Sequence, residues 1–127
     1  MKDSKNSFWL AFCAIVFLLF PSCRESYNTK EESAKLFAEH SLSKPLLEFK
    51  IDVGRYPSQM EGIGILVNRP DSETHINWKG PYVIEIPLDP WGNRYQYVSP
   101  GIHNPNSYDL WSLGPDGVPS DDDIGNW

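Results

Sequence analysis

The chain has 127 residues, with 11 basic and 17 acidic side chains and a formal net charge of −6. Basic residues are scattered, so the chain has no positive stripe that could neutralise nucleic-acid phosphates, and this excludes nucleic-acid binding as the function. A chain of this length is sufficient for one small domain with a modest core. Its two cysteines, Cys13 and Cys23, are too few for a disulfide framework.

The first 22 residues are predicted to form a signal peptide of the lipoprotein type. Lys2 and Lys5 precede an uninterrupted apolar run of thirteen residues, Phe8 to Phe20. This run suits a signal-peptide core and is shorter than the roughly twenty residues that span a bilayer. Phe20-Pro21-Ser22-Cys23 then resembles a bacterial lipobox, which makes Cys23 the predicted lipid-attachment site. An uncleaved short anchor is the alternative, and both interpretations attach the chain to a membrane of the bacterial cell envelope.

Residues 23–33 are polar and are predicted to form a tether, with the globular domain over residues 34–127. Helical spacing begins near Glu31 and is interrupted at Pro45, because proline is tolerated only in the first turn of a helix. Either Ser43 caps a second helix over Lys44 to Val53, or one helix kinks there. Gly54 then stands where a left-handed helix cap is common. The apolar face of this second helix is predicted to consist of Leu46, Leu47, Phe49 and Val53.

The segment after Pro57 contains the clearest local signal. Ser58 and Glu61 have the spacing of a capping box, so a short helix is predicted to follow. Val83 to Leu88 is predicted as a short edge strand that ends at Pro87. Tyr95 to Val98 and Tyr108 to Leu113 alternate apolar and polar residues, which predicts an antiparallel pair of strands lying against the second helix.

Four carboxylates, those of Asp116, Asp121, Asp122 and Asp123, fall within eight positions between glycines and prolines. Like charges this close repel one another, so either water or a cation must screen them. Oxygen-only ligands favour a hard ion, and calcium tolerates the irregular geometry of such a loop better than magnesium does. The alternative is a solvated acidic segment without an ion. The return to apolar and aromatic residues at Ile124 to Trp127 argues against a frayed tail.

No catalytic constellation is predicted. The histidines His40, His75 and His103 have no nucleophile or base at a suggestive spacing, and we expect a protein that is not an enzyme and has no small-molecule substrate. Aromatic residues are dense in the second half of the chain and either pack as a core or form a sugar-binding platform. Core packing is the prediction, and a lipid-anchored module that binds a glycan or a protein is the alternative function. These residues are Trp78, Tyr82, Trp91, Tyr95, Tyr97, Tyr108 and Trp111.

Several sequence blocks occur in an order that is similar to the globular part of the major pseudopilin of type II secretion systems. The blocks are Leu47 to Ser58, Glu61-Gly62, Trp78 to Tyr82, Asp89 to Asn93, Tyr95 to Tyr97, Tyr108 to Leu110, Ser112 to Gly114 and Asp123 to Trp127. The resemblance covers roughly residues 44 to 127. No single motif carries it, and the agreement of many blocks makes it specific.

The resemblance implies an α+β fold, with an amino-terminal helix packed on a small antiparallel β-sheet and a carboxy-terminal calcium-binding loop. It implies that the side chains of Asp116 and Asp123 bind calcium together with the main-chain carbonyl of Leu113. Ser120 or Asp122 would supply the remaining ligands. The implied function is a non-enzymatic, structural or accessory part of a type II secretion or type IV pilus-like system. The implied partners are other secretion-system or pseudopilus proteins.

The amino terminus differs from the pseudopilin pattern. Pseudopilins begin with a basic leader, a Gly-Phe cleavage site, a glutamate at the fifth mature position and about twenty apolar residues. This chain has a lipoprotein-like start in their place. We therefore expect a pseudopilin-like head domain on a lipid anchor, facing the periplasm, that does not polymerise as an ordinary pseudopilin does.

Overall fold

The computed structural model describes residues 22–71 and 77–127, with side chains from residue 29 onward. Most of the predicted signal peptide, and His75, lie outside the described residues. The chain divides into two compact units, Met1–Lys30 and Glu31–Trp127, and the second contains the fold described below. No helix in the described ranges combines the length and the apolar character that a membrane crossing requires.

The helical part consists of α1 (Ser22–Leu36), a π turn (Phe37–Ser41) and α2 (Ser43–Val53). The predicted start near Glu31 was wrong, because α1 is already helical at Ser22 and runs through the whole segment predicted as a tether. Pro45 lies in the first turn of α2, as predicted, where a missing N–H breaks no helical hydrogen bond. The wider π turn lies just before it, where the proline ring would clash with a regular preceding turn.

Ser43 does not cap α2, so the first of the two alternatives for this position, a Ser43 cap, was wrong. Leu42 occupies the cap position without a side-chain bond, and the Ser43 hydroxyl donates to the His40 carbonyl at 2.7 Å. At the other end, Gly54 has φ of +89° and its N–H donates to the Lys50 carbonyl at 2.8 Å, which confirms the predicted left-handed cap. The local sequence therefore predicts how α2 ends but not how it begins.

The apolar face of α2 is narrower than predicted. Leu46 and Phe49 are fully buried and Val53 packs against the core, whereas Leu47 is 49% exposed. Positions 46, 49 and 53 recur at helical spacing, and position 47 lies about 100° around the helix from 46. The helix thus presents one stripe to the core and turns Leu47 toward solvent.

The capping box is confirmed. The Ser58 N–H donates to Glu61 Oε2 at 2.6 Å, and the Glu61 N–H donates to Ser58 Oγ at 3.3 Å. A short 3₁₀ helix, Ile63–Leu66, follows. The predicted edge strand over residues 83–88 is not formed. At the start of this segment, the N–H groups of Tyr82 and Val83 both donate to the Leu66 carbonyl in place of a strand partner.

The described sheet has three strands in the order β1-β2-β3, all antiparallel. They are β1 (Gln96–Val98), β2 (Asp109–Ser112) and β3 (Ile124–Gly125). The first pair was predicted from alternation, and β3 was not, since two residues have no periodicity. Asn126 extends the ladder, because its side-chain oxygen accepts the Leu110 N–H at 3.1 Å and its Nδ2 donates to the Tyr108 carbonyl at 3.1 Å.

One core joins helices and sheet, which confirms the predicted α+β fold. β2 and β3 lie against the π turn, and α2 supplies residues to the same cluster. Lys35 fixes the end of the sheet to α1, since its Nζ donates to the backbone oxygens of Gly125 and Trp127, both at 2.8 Å. The buried cluster consists of Leu42, Leu46, Phe49, Ile63, Ile65, Leu66, Tyr95, Tyr108 and Leu110.

Candidate metal site in the acidic loop

The acidic segment connects two neighbouring strands of the sheet. β2 ends at Ser112 and β3 begins at Ile124, so both ends of the loop over residues 113–123 are fixed by the ladder. Gly114 makes the first sharp turn, with φ of +70°, and a Cβ there would lie 2.8 Å from the Asp122 carbonyl oxygen. A larger residue therefore fits neither the backbone angle nor the space.

Two of the predicted ligands meet at Ser120. Asp116 Oδ2 lies 3.1 Å from Ser120 Oγ, and Asp122 Oδ1 contacts the same hydroxyl oxygen. A serine hydroxyl has one proton, so it can donate to only one of these carboxylates. The other carboxylate then faces a lone pair of Ser120 Oγ, and a cation between these oxygens would relieve their repulsion.

Asp123 approaches the same serine through the backbone. Asp123 Oδ1 accepts the Ser120 N–H at 3.2 Å, and the Asp123 N–H donates to the Ser120 carbonyl at 3.3 Å. Asp116 is held in a similar way, because its Oδ1 accepts the Val118 N–H at 3.0 Å. The structure thus brings Asp116, Asp122 and Asp123 around Ser120.

This arrangement is not a closed coordination sphere. In the described residues, no three side chains of His, Cys, Asp or Glu form one group that could hold a metal ion. The oxygen-only donor set and the two carboxylates on one hydroxyl nevertheless fit a hard cation such as calcium. Leu113, the predicted carbonyl ligand, is half-buried at the start of the same loop.

The sequence did not reveal what supports the loop. Asp89, in the Asp-Pro-Trp-Gly-Asn corner, is buried, and its Oδ1 accepts the N–H groups of Trp91 at 3.0 Å and Asn93 at 2.7 Å. Its Oδ2 accepts the hydroxyl proton of buried Ser112 at 2.6 Å. Burial, together with the charge of Asp89, raises the pKa of Tyr95 to about 12. The Asp-Pro and Gly-Asn pairs signal a turn, but they do not signal a partner 23 residues away.

Asp109 is a second buried carboxylate that the sequence did not single out. It accepts the N–H groups of Ile102 at 2.7 Å, His103 at 2.8 Å and Asn104 at 3.0 Å, and Asn104 Nδ2 donates to it at 3.0 Å. Burial alone would raise the pKa of the Asp109 carboxyl, but these hydrogen bonds hold the pKa below its ordinary value. Asp109 therefore organises the turn between β1 and β2.

His103 has partners that spacing did not suggest. Its ring stacks on Trp127 with centroids 3.8 Å apart, and its Nδ1 lies 3.2 Å from Asp109 Oδ2. Both rings line a cavity of about 350 Å³ beside Ser120 and Asp123. His40 is an exposed residue of the π turn.

The aromatic residues are packed rather than displayed. Tyr95 and Tyr108 are buried in the core, and Trp78, Tyr82 and Tyr97 pack against it. Trp91 and Trp111 are half-buried as well. The prediction of core packing is confirmed, and the glycan-binding alternative, which needed an exposed aromatic row, is not favoured.

The fold and the acidic loop place this chain in a class of protein domain, the α+β head domain of the pseudopilin type. In this class a helix packs on a small antiparallel sheet, and here an acidic loop joins the last two strands. A family model described as "Type II secretion system (T2SS), protein G" matches residues 24–127. The chain belongs to this family.

Curated relatives agree with this assignment. The chain is 50% identical over 82 residues to the type II secretion system core protein G of Klebsiella pneumoniae, covering 62% of this chain and 57% of that protein. It is 44% identical over 90 residues to the core protein G of Dickeya chrysanthemi, covering 68% and 58%. The chain thus spans less than two thirds of the length of these relatives.

A solved structure extends the likeness to the fold. The crystal structure of the major pseudopilin from the type 2 secretion system of enterohaemorrhagic Escherichia coli superposes with a TM-score of 0.74 at 31% identity. The match covers 86% of this chain and 92% of that chain. The expected resemblance to the major pseudopilin is therefore confirmed.

Proposed function

We propose that the chain is a structural, non-enzymatic component of a type II secretion system, with residues Glu31–Trp127 as its head domain in the periplasm. The observation that supports this most strongly is the likeness to major pseudopilins, in family, sequence and fold, over most of the chain. Its partners are then other proteins of the pseudopilus or secretion apparatus. The packing of the aromatic residues into and against the core agrees with a scaffold role.

The cellular test removes the gene. Cells without this chain are expected to secrete less protein through the type II pathway than wild-type cells do, and a plasmid that encodes the full chain should restore secretion. Secretion that is unchanged after deletion would contradict the proposed role. Outer-membrane integrity, measured as leakage of a periplasmic enzyme, is the control.

The proposed calcium site uses the loop between β2 and β3. Asp116 and Asp123 are the proposed side-chain ligands, the Leu113 carbonyl is the main-chain ligand, and Ser120 or Asp122 completes the set. The convergence of carboxylates on Ser120 supports this assignment. A bound ion neutralises the loop and joins the end of β2 to the start of β3, so its binding energy adds to folding.

The test is thermal unfolding of the full chain in detergent, with excess calcium, with magnesium and with chelator. At about a hundred times Kd, calcium should stabilise by about 2.7 kcal/mol. For a domain of this size, that corresponds to a rise in Tm of roughly 10 °C. Asp116→Ala and Asp123→Ala should abolish the rise, whereas Asp121→Ala, which removes the same charge from the loop, should keep it. Equal melting in calcium and chelator would exclude the site.

The proposed membrane attachment is a lipid on Cys23. The lipobox-like Phe20-Pro21-Ser22-Cys23 supports it. Cells grown with labelled fatty acid should yield a labelled chain, and Cys23→Ser should lose the label. Cys13→Ser is the matched control and should remain labelled. A labelled Cys23→Ser chain would place the lipid elsewhere.

A further inference from the structure

A cavity of about 400 Å³ adjoins the segment over residues 83–88. Its lining is mostly apolar, and two of its residues, Ile63 and Tyr95, belong to the buried core. Val67, Ile86 and Leu88 supply further apolar surface. The cavity is thus a recess that reaches the core, and its size and apolar character are those of a binding site.

The backbone beside this cavity has unused hydrogen-bonding groups. From Glu85 to Asp89 the chain has no helix, turn or bend, so its backbone is extended. Among the described residues, no hydrogen bond uses a backbone N–H or C=O group of residues 84–88. An exposed row of such groups is the feature with which a strand of another chain pairs.

Pro87 indicates which side of this segment is open to a partner. In an extended chain, the N–H and C=O groups of alternate residues point to the same side. Pro87 has no N–H, so the side that it shares with Glu85 lacks a donor that a ladder needs. The other side carries both groups at Ile86 and Leu88. This second side is therefore the one that a partner strand can pair with.

The side chains here are apolar and charged. Ile84 is 94% exposed and Leu88 is 57% exposed, and exposed apolar groups next to an apolar recess indicate an interaction surface. Glu85 and Arg94 add one charge of each sign to the lining of the cavity. None of the ion pairs between described residues involves either of these two side chains. The surface is therefore complementary to an apolar side chain with an acidic and a basic residue close to it.

We propose that residues 84–88 and the adjoining cavity bind an extended segment of a partner protein. The partner segment adds a strand along the open side of residues 84–88 and places one apolar side chain in the cavity. Alternate residues of a strand share a face, so the residues two positions before and after the apolar one carry the charges that complement Arg94 and Glu85. This inference goes beyond the structural role proposed above and does not involve the acidic loop.

The test measures the binding of labelled peptides to the full chain in lipid nanodiscs, by fluorescence anisotropy. The probes are Thr-Asp-Thr-Leu-Thr-Lys-Thr and Thr-Lys-Thr-Leu-Thr-Asp-Thr, with blocked ends, which cover both strand directions. At least one should bind, and the same peptide with serine in place of leucine should bind about tenfold more weakly. Empty nanodiscs are the control. If neither leucine peptide binds, the proposal is wrong.

The first variant fills the cavity. Gly64 lines it, and an added Cβ at this position meets no atom within 4 Å. Gly64→Leu should therefore weaken binding of the leucine peptide about tenfold. Gly64→Ala is the matched control, because it makes the same backbone change but leaves most of the cavity open, and its Kd should change less than about threefold. An unchanged Kd for Gly64→Leu would overturn the proposal.

The second variant tests the strand pairing. Leu88→Pro removes the Leu88 N–H, which has no partner among the described residues, so the fold loses no hydrogen bond. Leu88→Ala is the matched control, because it shortens the same side chain and keeps the N–H. Leu88→Pro should bind the leucine peptide about fivefold more weakly than Leu88→Ala does, as expected for one lost hydrogen bond. Equal affinities would show that no strand is added, which contradicts the proposal.

A second copy of this chain is the alternative occupant. Sedimentation of nanodiscs that hold one chain each distinguishes the two cases. Wild-type nanodiscs that stay single support the proposal, whereas wild-type nanodiscs that pair through a contact abolished by Gly64→Leu would overturn it in favour of self-association. Thermal melts establish that each variant is folded, and if Gly64→Leu does not fold, the two Leu88 variants and the serine peptide decide the outcome.

Discussion

At the scale of single residues, three buried polar groups shape the loops of this domain. Asp89, Asp109 and Ser112 are each at most 4% exposed, and each makes several hydrogen bonds to backbone or side-chain groups. In the described residues, no buried side-chain nitrogen or oxygen lacks a partner. Because an unpaired buried polar group costs about 1–3 kcal/mol, these residues favour one loop conformation over the alternatives.

Asp109 gives a prediction for acid stability. The pKa of the Asp109 carboxyl is lower in the folded protein than in the unfolded chain. The stability that its ionised form contributes is therefore fully present above the unfolded pKa of about 3.9, and it is lost as the pH falls from there toward the folded pKa. Asp109→Asn should lower the free energy of unfolding by roughly 2 kcal/mol at about pH 7. It should also flatten the loss of stability below about pH 4. Urea unfolding in chelator, from neutral pH down to strongly acidic pH, measures both.

The comparison of Asp109→Asn with wild type has a built-in control. The two chains differ only at this carboxyl group, so ionisable groups that do not contact Asp109 are common to both curves. Parallel curves for the two proteins in the acidic range would show that Asp109 does not carry this acid sensitivity.

At the scale of elements, the helical part, made of α1, the π turn and α2, shows where local sequence signals predict the structure and where they do not. The end of α2 is encoded by Gly54, whose φ of +89° suits glycine. The join between the π turn and α2 is set by Pro45 together with the burial of Ala38 and Leu42 on the core side. The sequence alone cannot distinguish a helix cap, a kink and a π turn at this position, because all three are compatible with a proline at position 45.

Gly54 supplies the element-scale prediction. An added Cβ at this position would meet no atom within 4 Å, so only the backbone angle opposes a side chain. Gly54→Ala should therefore lower the free energy of unfolding by about 1–2 kcal/mol. Gly54→Asn is the matched control and should cost less, because asparagine tolerates the left-handed region. Equal losses in urea titrations would mean that backbone strain is not the cause.

At the scale of the whole molecule, the domain is held together by contacts between its two ends. In α1, Ala34 is fully buried, and Lys35 reaches the end of the sheet, where its Nζ donates to the backbone oxygens of Gly125 and Trp127. The proposed calcium loop lies between the same last two strands. Residues that are distant in sequence thus stabilise one cooperative folding unit together.

A truncation series tests this view of the domain. A chain that begins at Glu31 keeps the compact unit and should melt within about 3 °C of one that begins at Cys23. A chain that begins at Phe37 loses Ala34 and Lys35, and a loss of about 1–2 kcal/mol should lower its Tm by about 5–15 °C. Both melts are run in chelator. A Glu31 chain without a cooperative transition would show that residues 23–30 belong to the folded unit.

The sequence by itself determined the elements whose signals are local. The capping box of Ser58 and Glu61, the cap at Gly54 and the alternation of β1 and β2 depend on residues a few positions apart, where backbone sterics and side-chain period are decisive. The order of these blocks also sufficed to indicate the family. The acidic residues of the loop could be chosen as candidate ligands from their chemistry.

Only the tertiary structure decided which distant residues meet. β3 has two residues and is formed by pairing with β2, whereas residues 83–88 have strand-like composition but form no strand. Asp89 bonds Ser112 across 23 residues, and the ring of His103 stacks on Trp127, the last residue of the chain. Such pairings depend on the packing of the whole chain, because hydrogen bonds and ring contacts require a proximity that sequence spacing does not specify.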